Sequence, residues 1–173
     1  MSLPHDIKES ARYLTLIVSG NEYLINMSWV QSIERAEKLE PSDHVNQDVV
    51  GTYKLGPKII NVYSLNKTLG YENTYDLSSG RIVIVKKKEL NIAIYTDSVS
   101  GIIEASRDQV FELPVIASRK LSDYFDKIVM LGDRILFSIF PDYLEGELSG
   151  DVKFAEENVI ADFLNNSASC GRS

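Results

Sequence analysis

Reactive side chains are scarce in this chain. One cysteine, Cys170, stands among 173 residues, so no disulfide can close within it, which fits a reducing, cytoplasmic setting. Cys170 sits in a Ser/Asn/Gly-rich tail, a poor place to hold a catalytic thiol. The two histidines, His5 and His44, fall in no metal-ligand spacing and beside no cysteine partner, so neither a metal nor a cofactor is expected. No Gly-rich phosphate loop, nucleophile elbow or paired-acid motif occurs. Asp97, Asp126 and Asp133 could form an acidic site, but turn and strand-end roles account for each of them better. No catalytic residue is assigned, and an enzyme is not expected. Positive charge is short too: 18 Lys and Arg face 25 Asp and Glu, a net charge of −7. Nucleic-acid recognition needs a concentrated basic face, which this balance does not supply. The one dense basic cluster, Lys86-Lys87-Lys88 beside Glu89, reads as a solvated hairpin tip. No apolar run is long enough to cross a bilayer, and no basic stretch followed by an apolar run opens the sequence, so neither a secretory signal nor membrane insertion is expected.

What the chain does have is short apolar runs separated by turn chemistry. Tyr13 to Val18 is apolar on both alternating faces and predicts a strand covered on both sides. Ser19-Gly20-Asn21 supplies a hairpin turn, and Glu22 to Met27 returns as a second strand. Ser28 and Gln31 make a capping-box pattern that predicts a helix of two turns through Ile33, with Val30 and Ile33 on one side. Residues 35–48 read as a polar loop. Strands follow at Val49 to Lys54 and Lys58 to Tyr63 about Gly56-Pro57, then a short helix from Ser64 to Leu69. Arg81 to Lys86, Asn91 to Tyr95 and Gly101 to Ala105 continue the β pattern, and Ser106 with Gln109 forms a second capping box. Lys127 to Leu131 and Arg134 to Ile139 flank a Gly132-Asp133 hairpin. Pro141 to Leu144 predicts a short helix. Between 152 and 164, Ala155, Val159, Ile160 and Phe163 fall at helical spacing, which predicts an amphipathic C-terminal helix. The class is all-β, a sandwich or barrel. The order strand then short helix occurs at 59–69 and again at 134–144, which suggests two similar barrels.

An ordered series of these residues resembles the CheW family across roughly 10–146. It comprises Glu22-Tyr23, Val30-Gln31-Ser32-Ile33, Val49-Val50-Gly51, Lys54-Leu55-Gly56-Pro57, Lys58 to Val62, Ser64-Leu65 and Asp97-Ser98-Val99-Ser100 before Ile102-Ile103. Pro114, Tyr124 and Gly132-Asp133-Arg134 also fall at family positions. Ser32 stands where the family has Glu, Gly56 where it has Arg, and Lys127 where it has a late Gly, which marks a divergent member. The resemblance implies two intertwined, SH3-like, five-stranded barrels with short helices over 10–146. The C-terminal helix and tail occupy 147–173.

It also implies an adaptor coupling methyl-accepting chemoreceptor tips to a CheA-type histidine kinase, in chemotaxis or a related pilus-based system. The matching kinase-binding positions are Gly51, Tyr53, Leu55, Lys58 and Ile60, of which alternate residues must point inward. The matching receptor-binding positions are Val30, Ile33 and Val99, each with a core role as its alternative. Trp29 is either a packing anchor or a partner contact. The reading from another class is a barrel that binds a small ligand or single-stranded nucleic acid, which would need a basic groove with exposed aromatics.

Overall fold

A computed structural model describes residues 9–42, 48–72, 76–113 and 124–141. Among the described residues eleven strands carry the fold: β1 (Ser10–Val18), β2 (Asn21–Asn26), β3 (Val30–Arg35), β4 (Val49–Leu55), β5 (Lys58–Ser64), β6 (Arg81–Lys87), β7 (Leu90–Thr96), β8 (Ser98–Ser106), β9 (Val110–Glu112), β10 (Phe125–Leu131) and β11 (Arg134–Ile139). A short helix, α1 (Leu65–Thr68), follows β5, and the Ser64 hydroxyl accepts from the Lys67 N–H at its start. The capping box at Ser106 and Gln109 forms as the spacing predicts and opens a single 3-10 turn. Ser19 and Gly20 both take positive φ, 50° and 79°, the geometry that matches the right-handed twist of the β1–β2 hairpin. Of the helix expected from Pro141 to Leu144 only Pro141 is described, and the helix expected over 152–164 lies outside the described residues, as does Pro114.

Two expectations are corrected. The helix through Ile33 is a 3-10 turn of three residues, Met27–Trp29, followed by strand β3. The Asn26 side chain, not Ser28, takes the cap by accepting from the Ser28 N–H at 2.9 Å. Residues 36–38, expected as loop, form a 3-10 turn, and Glu40 then bridges to Thr52 on β4.

The strands form two sheets of matching design. One runs β8-β1-β2-β11-β10-β9 and the other β3-β6-β7-β5-β4, with the Glu40 bridge standing where the first has β9. Each holds its single parallel pairing at the same place, β11 on β2 and β5 on β7. The bulges correspond as well: β3 against β6 and β8 against β1, β4 against β5 and β10 against β11. The second sheet comes wholly from the middle of the chain and the first from both ends, so the two are intertwined.

Alternation along the doubly covered strands explains the packing. Along β6, Ile82 and Ile84 enter the second sheet's own core, with Tyr53, Val62 and Tyr95, while Val83 and Val85 join a different cluster. The first sheet's own core holds Tyr13, Leu24, Ala105, Val129 and Leu136. The largest cluster lies between the sheets and draws on both, from Leu14, Leu16 and Tyr23 to Ile94, Phe125 and Phe137. Each sheet therefore curls around its own filled interior, and the seam joins the two barrels. Side chains occupy both interiors, so the described residues offer the small-ligand reading nothing to favour it.

Candidate functional site

The five residues expected to face a kinase all fall on the β4–β5 hairpin, and all on one side of it. Gly51 pairs with Val62, Tyr53 with Ile60 and Leu55 with Lys58; directly opposed residues share a face. That face points into the barrel. Tyr53 is 9% exposed, and Leu55 and Ile60 are half-buried against the same core. Lys58 reaches solvent at the rim. At Gly51 a Cβ would stand 2.4 Å from the Glu40 carbonyl oxygen and 2.5 Å from a Leu39 methyl, so glycine is required for the Glu40 segment to close on β4. Gly51→Ala should lower stability by about 1–3 kcal/mol through overpacking. The urea midpoint would fall at unchanged m-value; an unmoved midpoint would show that the contact yields freely.

The outward face of this hairpin carries a residue that the sequence reading passed over. Ile59, opposite Lys54, is 65% exposed. Lys54 pairs with Glu40 at 2.9 Å. The signal was available: if Ile60 points in, its neighbour Ile59 must point out. The equivalent β10–β11 hairpin sets Met130 opposite Ile135, both also exposed.

Val30, Ile33 and Val99 sit on two edge strands, β3 and β8, at equivalent places. Val30 and Ile33 are three apart, which on a regular strand would send them to opposite faces. An extra residue at Gln31 restores them to one, because Val30 pairs with Val85 and Ile33 with Val83, both seam residues. Along β8 an extra residue at Ser100 does the same. Val99 pairs with Leu16 and Ile102 with Leu14, again seam residues. Val30 and Val99 pack against the seam core, while Ile33 is 42% exposed and Ile102 is 49% exposed. Ile102 was not singled out from sequence; its equivalence to Ile33 appears only once both bulges are known. The 3-10 turn before Val30 lies against β1, the neighbour of β8, and against β6.

Several charged groups here make contacts between elements. The Lys38 ammonium, 2.6 Å from the Glu34 carboxylate, holds that carboxyl below its ordinary range, and Ser32 and Tyr53 hydrogen-bond it too. Since Glu34 is on β3 and Tyr53 on β4, this contact also brings together the two edges of the second sheet. The Lys87 ammonium lies 4.5 Å from the Trp29 ring centre and 4.1 Å from that of Phe140, so Lys87 of β6 joins the turn before β3 to the segment after β11, and Trp29 packs partly buried against the seam cluster. Asp97 accepts from the Ser19 N–H at 2.7 Å and from the Asn66 amide. Asp126 is the extra residue of the β10 bulge, and burial raises its carboxyl. Asp133 is in the Gly132 turn. The three acids lie apart in the roles expected of turns and strand ends. Among the described residues no group of three or more His, Cys, Asp or Glu side chains could hold a metal ion, and no described helix is long and apolar enough to cross a membrane.

Comparison with known proteins agrees with this architecture. Residues 12–143 match the family model described as CheW-like domain. The chain is 22% identical over 131 residues to chemotaxis protein CheW of Bacillus subtilis (strain 168), covering 76% of this chain and 84% of that protein. The crystal structure of scaffolding protein TtCheW from Thermoanaerobacter tengcongensis superposes with a TM-score of 0.67 at 17% identity, covering 75% of this chain and 88% of the other.

Proposed function

The chain belongs to the CheW-like domain family, and on that premise we propose that it is an adaptor coupling chemoreceptor tips to a CheA-type histidine kinase in the cytoplasm. Residues 10–146 form the adaptor domain and 147–173 a tail. The observation that carries the reading is the pair of edge strands whose matched bulges turn Val30 with Ile33, and Val99 with Ile102, toward the seam. Such a strip suits the apolar face of a helical receptor tip, while the β4–β5 hairpin presents Ile59 to the kinase's own CheW-like barrel. Coupling works through geometry. The adaptor shifts the population of kinase arrangements because it binds them differently, with no covalent step.

The role is tested by retention of receptor-tip fragments and of CheA-type kinase from the same organism on the immobilised full chain. Val30 is half-buried against the seam, so Val30→Asp would strain the fold; exposed Ile33 and Ile102 are the cleaner probes. Ile33→Asp with Ile102→Asp should weaken receptor binding by about 2 kcal/mol or more, roughly thirty-fold, because each would leave a carboxylate facing an apolar contact. Kinase retention should stay. Unchanged receptor retention would remove these strands from the interface, and a wild-type chain that holds neither partner would end the adaptor reading. A pilus-based pathway is favoured if the partner kinase and receptor are those encoded with pilus genes.

A further inference from the structure

The start of β3, the strand that carries exposed Ile33, stands near the point where a long acidic segment leaves the barrels. The last described residues, Phe140 and Pro141, follow β11. Phe140 is held there by its N–H donating to the Tyr124 carbonyl at 2.8 Å. Its ring shares the Lys87 ammonium with Trp29, and Trp29 immediately precedes Val30. The chain continues for residues 142–173, which carry seven acidic side chains against two basic ones, a balance of −5. Within it, Ala155, Val159, Ile160 and Phe163 have the spacing of a helical apolar stripe. Glu156, Glu157 and Asp162 fall between them.

We propose that residues 152–164 cover the β3–β8 apolar strip of their own chain, acting as an internal competitor for whatever docks there. Three observations converge. The strip leaves Ile33 and Ile102 exposed on seam-facing positions of edge strands. The tail starts beside Trp29, and the roughly 11 residues from Pro141 to Val152 span up to ~35–40 Å when extended, more than enough to return to β3. Exposed Lys86 and Lys88 flank the same place, since Val85 pairs with Val30, and they complement the tail's acids. A tether of this length gives an effective concentration on the order of millimolar, so a contact too weak to hold two separate molecules is still populated. The contact stands independently of the adaptor reading. Its regulatory consequence, that a receptor must displace the segment, rests on it.

Cys170 supplies the test, because as the single cysteine it accepts one nitroxide spin label in the full-length chain without further substitution. Backbone amide signals are compared with the label oxidised and reduced. Selective broadening at Val30–Arg35 and Ser98–Ile103, lost in Val159→Asp with Phe163→Asp and weakened by high salt, is the expected result. Uniform broadening, none at all, or broadening at the Phe111–Met130–Ile135 face would overturn the proposal. So would broadening that appears only when labelled and isotope-enriched chains are mixed, since the occupant would then be a second copy. No partner protein enters this measurement. Failure of the tail contact is thereby distinguished from failure of the adaptor role, which the retention assay reads separately.

Discussion

Replacing Phe125 by alanine is expected to lower the unfolding free energy by about 3–5 kcal/mol, the range for emptying a large aromatic site in a packed core. Phe125 is 1% exposed. Its ring stacks on Tyr23 at 5.8 Å with an interplanar angle of 6°, and meets Phe137 at 5.2 Å. These rings belong to the cluster that the two sheets share. The cavity would therefore open in the seam and not inside either barrel. The Tyr23 hydroxyl is tied to that of Tyr71, and burial holds its proton well above the ordinary tyrosine range. The stack thus has little freedom to collapse into the gap, which places the loss toward the upper end. Urea unfolding followed by Trp29 fluorescence should show the midpoint falling in one concerted transition. Loss of less than about 1.5 kcal/mol would mean that the seam repacks and does not bind the barrels into one cooperative unit.

The legible parts of this fold are those fixed by short-range chemistry. Gly132-Asp133 between two apolar runs could only be a tight turn, and Ser106 with Gln109 three places on formed the cap that the spacing predicts. The same rule misled at Ser28. Val30 and Ile33 find their partners on β6, some fifty residues away in sequence, and strand pairing outweighs two turns of helix propensity. The bulges were illegible for a related reason. A strand with one extra residue places apolar side chains three apart on one face, and in sequence that spacing looks helical. Ile33 was named for a helix face and sits on a strand face, beside the same Val30. Among the hairpin residues the difficulty was parity. Gly51, Tyr53 and Leu55 share one side of β4, and only the burial of Tyr53 shows that this side is the inner one. Family resemblance located the segment but could not orient it.

Orientation decides which substitution separates folding from binding. Leu55→Asp places a carboxylate against the Tyr53–Ile84 core, so a loss of kinase binding there would be confounded with loss of the barrel. Ile59→Asp acts on the opposite side of the same hairpin, where the side chain is already 65% exposed. The stability of the free chain should change by no more than about 0.5 kcal/mol. If the hairpin is the kinase contact, Ile59 is its apolar anchor with Lys54 beside it and Lys58 at the rim. A carboxylate at its centre should then cost at least ~2 kcal/mol, roughly thirty-fold in Kd by titration calorimetry against a CheA-type regulatory domain. Lys58→Glu should change mainly the association rate and its salt dependence, because a rim charge steers encounter more than it holds the complex. An Ile59→Asp chain that keeps both its urea midpoint and its kinase affinity would clear this hairpin of the role, and the exposed Met130–Ile135 pair on the equivalent hairpin would become the next surface to probe.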